Sequence, residues 1–212
     1  MSMKTPAGGH KFAAHELIAM NEALMTKTAN AELLSHFGQQ TQDQRLADIL
    51  HRQAQAVQNQ YLQGVQLLQS QNASTAGHAT VQMAQTPGYS SGQPMIGLHK
   101  PSMPAPQMGA TISDRALATV VLNLHKHGAV GWMTLALECV SPNLRRFLVD
   151  GALSCDQMAY ETWMYMNEKG YYQVPALQDN TTQTMIQAWQ VPQANPQPST
   201  MQAAMMQQQP YQ

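Results

Sequence analysis

The chain has 212 residues, of which 12 are acidic and 11 are basic, and its formal net charge is −1. Charged residues make up 11% of it, against roughly 25% in an average soluble domain, and 29 glutamines take much of their place. This composition gives no electrostatic basis for binding nucleic acid or an anionic membrane. Two cysteines are too few for a disulfide framework. No apolar run reaches the roughly 18 residues of a membrane span, and the absence of a hydrophobic stretch after Lys4 argues against a secretory signal.

The first part of the chain is predicted to be a flexible arm at residues 1–10 and a helical hairpin at 11–70. No Gly or Pro occurs from 11 to 37, and apolar residues at three- and four-residue steps indicate an amphipathic helix. Gly38 is predicted to be its C-terminal cap, and Thr41 or Asp43 the N-cap of the second helix. Gln53 and Gln60 interrupt the apolar stripe of that second helix.

Residues 71–111 are rich in Pro and Gly and are predicted to form a long linker. A second hairpin is expected at 112–174, with its first helix beginning after Ser113 or Asp114 and running to about 140. Gly128 and Gly131 are expected to let a neighbouring helix approach closely. Ser141-Pro142 is typical of a helix start. The remaining residues, 175–212, are predicted to form a low-complexity tail, in which the Gln/Pro/Met-rich composition from about 190 onward predicts disorder and one or two helical turns are allowed at 181–189.

Two tight helical hairpins joined by one long connection have the connectivity of a ferritin-like four-helix bundle. The predicted fold class is therefore all-α, with a linker that crosses the whole bundle and a low-complexity tail.

A ferritin-like bundle raises the question of a di-iron site, which needs Glu-x-x-His pairs on two of its helices. No glutamate of the predicted helices has a histidine three positions later. A single metal site formed by Glu22, Asp48, His51 and Glu138 is the remaining alternative. The preferred interpretation of Glu138 is that it reaches solvent or pairs with a neighbouring arginine. The prediction is therefore no cofactor, no metal site and no catalytic arrangement.

The cysteines and histidines give no metal-binding or nucleophilic pattern. Cys139 and Cys155 are expected to lie on the order of 20 Å apart along the second hairpin, too far for a disulfide. Cys155 is predicted to be a packed core thiol, whereas Cys139 could be exposed and cross-link chains. His125 and His127 should point to different sides of their helix, and most of the eight histidines are expected at the surface.

Three stretches carry a resemblance to a known family. His15-Glu16-Leu17 opens the first helix, and Arg45-Leu46 follows Asp43 at the start of the second. The fourth helix contains Asn143-Leu144-Arg145-Arg146-Phe147-Leu148, then Trp163-Met164-Tyr165-Met166, and ends in Lys169-Gly170-Tyr171-Tyr172. Over residues 11–70 and 112–175 the chain resembles the spore coat protein F family of endospore-forming bacteria. The resemblance implies a ferritin-like bundle with a structural place in the spore coat and no known catalytic residues.

The predicted function is a structural component of the bacterial spore coat, made in the mother-cell cytoplasm and assembled through bundle and tail contacts. Its expected partners are other spore coat proteins, with a homo-oligomer left open. One alternative is a ferritin-like metal-binding protein or oxidase with a degenerate site, and another is a helical adaptor that pairs through its Gln-rich second helix. Glutamines could also form isopeptide cross-links with lysines. The lysines considered are Lys4, Lys11, Lys27, Lys100, Lys126 and Lys169.

Overall fold

The computed structural model describes residues 12–72, 92–99, 105–106, 108–109 and 111–191. The predicted arm at 1–10, much of the linker and the last 21 residues lie outside this range. The chain divides into two units, residues 1–174 and 175–212. Within the described residues no helix is long and apolar enough to cross a membrane.

Four long helices build the first unit: α1 (Ala14–Gln40), α2 (Gln44–Asn72), α3 (Asp114–Glu138) and α4 (Pro142–Glu168). The described part of this unit contains no strand, only isolated bridges that join Ile96 and Gly97 to Val174. In the second unit, α5 (Asp179–Gln187) is an exposed nine-residue helix. The helical turns that the sequence allows at 181–189 are therefore present as α5, which begins two residues earlier.

Two of the helices, α2 and α3, begin where a short polar side chain accepts the unpaired N–H groups of the first turn. Oδ1 of Asp43 accepts hydrogen bonds from the backbone N–H groups of Arg45 (2.9 Å) and Leu46 (3.2 Å). The hydroxyl of Ser113 accepts one from Ala116. These contacts confirm Asp43 and Ser113 as N-caps.

Gly38 is not the C-terminal cap of α1, because the helix continues to residue 40 and Thr41 follows it as the cap. Gly38 is buried inside the helix instead. A Cβ atom at this position would lie 2.8 Å from Nε2 of His51 on α2. The glycine therefore makes room for the His51 ring rather than ending the helix.

Contacts at the helix ends fix the topology. Nε2 of His15 lies 2.9 Å from the carbonyl oxygen of Glu138, and Thr41 donates to Asp114 over 2.6 Å. The first contact joins the start of α1 to the end of α3, and the second joins the end of α1 to the start of α3, so these helices are antiparallel. Arg45, at the start of α2, pairs with Glu168, at the end of α4.

The neighbours of each helix complete the bundle. α1 packs along α2 and α3 along α4, while α1 also contacts α3 and α2 contacts α4. Consequently α2 and α3 run in the same direction, so that the end of α2 and the start of α3 lie at opposite ends of the bundle. This arrangement confirms the predicted ferritin-like fold with one long crossover.

Candidate functional site

The structure does not bring the four candidate metal ligands together. Glu22, Asp48, His51 and Glu138 are all exposed and are distributed over three helices. The His51 ring packs on Gly38, and Asp48 accepts a hydrogen bond from Gln44 in the preceding turn. Within the described ranges no group of three or more His, Cys, Asp or Glu side chains is arranged to hold a metal ion.

Polar residues from all four helices are instead buried inside the bundle. Lys27 of α1, Gln53 of α2, His125 of α3 and Thr162 of α4 are each at most 2% exposed. They lie at core positions: Lys27, for example, is seven residues after Met20 and seven before Leu34, and both of these are fully buried. We call these four residues, together with Gln60, the polar layer.

Gln53 is the hydrogen-bonding centre of the polar layer. Its Nε2 donates to the carbonyl oxygen of Met158 (3.1 Å), to Glu161 (2.9 Å) and to Thr162 (3.3 Å). These acceptors fix the amide orientation, so that Oε1 faces Nε2 of His125 at 2.9 Å. An amide oxygen can only accept a hydrogen bond. Neutral His125 therefore carries its proton on Nε2, and Nδ1 is unprotonated and presents a lone pair.

Burial determines the charge state of His125. Its desolvation, with a smaller contribution from the positive charge of Lys27, lowers its pKa to about 3. The Nδ1 atom is buried and has no hydrogen-bond partner. His125 is therefore a neutral imidazole with a free acceptor inside the protein. The expectation that most histidines lie at the surface did not single out His125 as a buried one. The exposed His127 points to another side of the helix, as predicted.

Lys27 places an amine at a core position, where an apolar side chain is expected. Nζ donates a hydrogen bond to Oε1 of Gln60 and lies 4.3 Å from the ring centroid of Trp132. None of the ion pairs found among the described residues includes Lys27. Its desolvation lowers its pKa, which favours the neutral amine.

Both cysteines are buried free thiols. Cys155 packs against α3 at Gly128, where a Cβ atom would lie 3.0 Å from Sγ. The prediction of a core thiol at Cys155 is confirmed. The expectation that Cys139 could be exposed is wrong, because Cys139 is 5% exposed and Sγ contacts the carbonyl oxygen of Leu135 at 3.5 Å. Burial raises the pKa of both thiols.

The motifs that carry the family resemblance lie at the two ends of the bundle, where they join the hairpins. Glu16 is a buried carboxylate that accepts hydrogen bonds from the backbone N–H groups of Ala13 (3.0 Å) and Ser141 (2.6 Å). Although its burial acts to raise its pKa, these backbone hydrogen bonds hold the pKa below its ordinary value. At the other end, Asp43 pairs with Lys169 at 2.5 Å.

The terminal Gly-Tyr-Tyr motif closes the end of α4. Gly170 has a φ of +73°, which turns the chain back. The N–H groups of Tyr171 and Tyr172 both donate to the carbonyl oxygen of Met166. Arg115 lies 5.0 Å from the Tyr171 ring and Lys126 lies 5.2 Å from the Tyr172 ring. The motif is a packed helix cap that also contacts α3.

Asn167 holds a described part of the crossover against α4. This buried side chain accepts a hydrogen bond from the N–H of Met95 (2.7 Å) and donates to the carbonyl oxygens of Met95 (3.0 Å) and Tyr172 (3.1 Å). The N–H of Gly97 donates to Val174 at 2.7 Å. Residues 92–99 therefore lie beside the C-terminal end of α4.

Three comparisons with known proteins agree with this architecture. Residues 113–175 match the Coat F domain family. The spore coat protein F-like protein YhcQ of Bacillus subtilis (strain 168) is 28% identical over 165 residues, which cover 77% of this chain and 73% of the relative.

A solved structure shows the same fold. It is the crystal structure of a candidate spore coat protein from Bacillus halodurans C-125, and it aligns with a TM-score of 0.55 at 16% identity. The alignment covers 79% of this chain and 96% of that protein. The resemblance drawn from the fourth helix is thus confirmed, since the residues that match the Coat F domain family, 113–175, contain the α3–α4 hairpin.

Proposed function

We propose that this chain is a structural, non-catalytic component of the bacterial spore coat, made in the mother cell and assembled there with other coat proteins. The observation that carries this proposal is the match of residues 113–175 to the Coat F domain family. The Bacillus subtilis relative supports it, because that protein is described as spore coat protein F-like.

The surface of the bundle supports association. The outer side of α3 exposes Val130 (69%), Leu137 (63%) and, just after the helix, Val140 (74%). With an overall net charge of −1, little electrostatic repulsion opposes packing of such surfaces against other proteins. Contacts with other coat proteins through the helical bundle are therefore part of the proposal.

The test is to tag the chain in its endospore-forming host and to fractionate purified spores. We expect the tagged chain in the coat extract, a fluorescent fusion that forms a shell around the developing spore, and a promoter active in the mother cell. Absence of the protein from purified spores would contradict the proposal.

A second arm of the experiment examines the contact surface. The double substitution Val130→Ser and Leu137→Ser should reduce the amount of protein retained in the coat while leaving the soluble bundle folded. Leu62→Ser is the matched control, because Leu62 is an exposed leucine of α2 (49%) in the other hairpin. Equal retention of both variants would exclude this face of α3 as the contact surface.

A further inference from the structure

The second unit carries an amphipathic helix that buries none of its own apolar side chains. Met185, Ile186 and, two residues after the helix, Trp189 are 58%, 60% and 87% exposed. They lie on one side of α5, because positions i, i+1 and i+4 share one side of a helix. A helix of nine residues is marginal by itself in water and gains most of its stability from packing its apolar side on a partner. We call these three residues the α5 anchor.

The outer side of α3 offers the matching surface. Val130, Leu137 and Val140 are exposed there, and we call them the acceptor face. We propose that the α5 anchor of one chain docks antiparallel on the acceptor face of a second copy of the chain. This inference deepens the proposed function, on which its role in the coat rests, because it names a second copy as one partner of the α3 surface.

The anchor and the face are matched in length and in shape. Val130 and Val140 are about 15 Å apart along α3, and Asp179 and Trp189 are about as far apart along α5. Among the described residues, no other part of the bundle lies within 4 Å of a Cβ atom added at Gly131. The helix surface beside Val130 is therefore open to a large ring. Antiparallel docking places Trp189 at this position, and tryptophan is a typical anchor residue of protein interfaces.

Charge determines the direction in which α5 lies on the face. Asp179, in the first turn of α5, is the only charged side chain of the second unit. At the end of the acceptor face, the exposed Arg145 and Arg146 follow in the first turn of α4. Together with the neighbouring Glu138, they leave this end with a net positive charge. Antiparallel docking brings Asp179 to this positive end, which gives the contact charge complementarity.

The length of the chain makes the acceptor a second copy. Val174 pairs with Gly97 beside the C-terminal end of α4. Since α4 has 27 residues and is therefore about 40 Å long, Arg145 and Arg146 lie far from this end. The five residue steps from Val174 to Asp179 span at most about 18 Å. The arginines that Asp179 can meet are therefore those of a second copy.

The contact joins two different surfaces, so it can repeat. Every copy carries one anchor and one face, and a heterologous contact of this kind leaves an unused anchor and an unused face at the ends of each assembly. The purified full-length chain should therefore form oligomers whose mean mass rises with concentration, as measured by size-exclusion chromatography with light scattering. A monomer at every concentration would overturn this inference, whereas the presence of the chain in purified spores, which tests the proposed function, would be unaffected.

Two blocked variants test which surfaces meet. The anchor variant, Met185→Ser with Trp189→Ser, and the face variant, Val130→Ser with Leu137→Ser, should each be monomeric. An equimolar mixture should form a complex of one copy of each, because one variant keeps its face and the other keeps its anchor. Circular dichroism verifies that both are folded. Wild-type association of the anchor variant would show that the α3 surfaces pair with each other and would overturn the proposal. A mixture that stays monomeric while the wild type associates would do the same.

Charge reversal tests the direction of docking. Asp179→Arg should weaken association by about tenfold or more, because like charges facing each other across an interface are unfavourable. Adding Arg145→Asp and Arg146→Asp to the same chain should restore association. Ile18→Ser with Met25→Ser is the matched control, since both are exposed apolar residues of α1 (59% and 73%), and it should associate like the wild type. Failure of the added substitutions to restore association, or an equal loss in the control, would overturn the antiparallel contact.

Discussion

At the scale of single residues, His125 links the stability of the bundle to pH. Its folded-state pKa of about 3 lies below its ordinary value of 6.5. Between these values the unfolded chain binds a proton that the folded chain does not bind. The stabilisation is therefore complete above pH 6.5 and is lost as the pH falls toward 3.

We predict that the free energy of unfolding falls by about 2 kcal/mol between pH 7 and pH 5 through His125 alone. Glu16 and Asp43 have lowered pKa values and contribute mainly below their ordinary values of 4.5 and 3.8, outside this interval. The measurement is urea unfolding of the wild type and of His125→Gln at both pH values. The variant should lack this component; an equal pH dependence in both proteins would contradict the prediction.

The polar layer also shows which contacts of single residues cannot be predicted from the sequence. Gln53 and Gln60 stand out as interruptions of an apolar stripe, and Lys27 falls on a core position. Their partners, however, lie on other helices, such as His125, which is 72 residues beyond Gln53. A one-dimensional pattern can indicate that a polar residue is buried, but only the packing of four helices shows which acceptor it meets.

At the scale of helices, glycines determine how closely α3 and α4 approach. The sequence predicts close contacts at Gly128 and Gly131. Gly128 does contact Cys155, but Gly131 is exposed with open space around it. The other close contact is at Gly151 of α4, where a Cβ atom would lie 2.8 Å from Cζ3 of Trp132.

We predict opposite effects of alanine at these two glycines. Gly151→Ala should lower the free energy of unfolding by about 1–3 kcal/mol, because the new methyl group overlaps the rigid Trp132 ring. Gly131→Ala should raise it by about 0.5–1 kcal/mol, since helix propensity improves and nothing is displaced. Urea unfolding of both variants measures the difference. A stabilised Gly151→Ala protein would show that the Trp132 ring moves aside without cost.

The helices themselves were largely predictable because their signals are local. Apolar periodicity, the N-caps at Asp43 and Ser113 and the first-turn proline Pro142 place most boundaries within a few residues. Gly38 misled the prediction for α1, since a glycine can serve either as a cap or as space for a neighbour. Only the position of the His51 ring distinguishes the two.

At the scale of the whole molecule, the topology follows from connection lengths, and the motifs explain how the hairpins are held together. Short connections within each hairpin and one long crossover suffice to predict the ferritin-like order. The polar contacts between hairpins were not predictable, because they join distant parts of the sequence. Arg45–Glu168, Arg52–Glu161 and Asp43–Lys169 all join the first hairpin to the second.

Asn167 joins residues 92–99 of the crossover to the end of α4 by hydrogen bonds. A buried asparagine has both an acceptor and two donors, and all three are used on the backbone of residues 95 and 172. Alanine would remove these bonds and leave the groups that they satisfy without partners, which costs about 1–3 kcal/mol. Because the helices do not depend on these bonds, the loss should appear as local opening of residues 92–99 rather than unfolding of the bundle.

We predict that Asn167→Ala increases cleavage after Met95 or Leu98 by a chymotrypsin-like protease at least about tenfold, which corresponds to about 1.4 kcal/mol of local stability. Limited proteolysis of the full-length chain under native conditions, followed by mass spectrometry of the fragments, measures the rate at each bond. Asn143→Ala, at an exposed position at the start of α4, should leave the rate unchanged. If Asn167→Ala is cleaved there no faster than Asn143→Ala, other contacts, such as Gly97 with Val174, hold the crossover on their own.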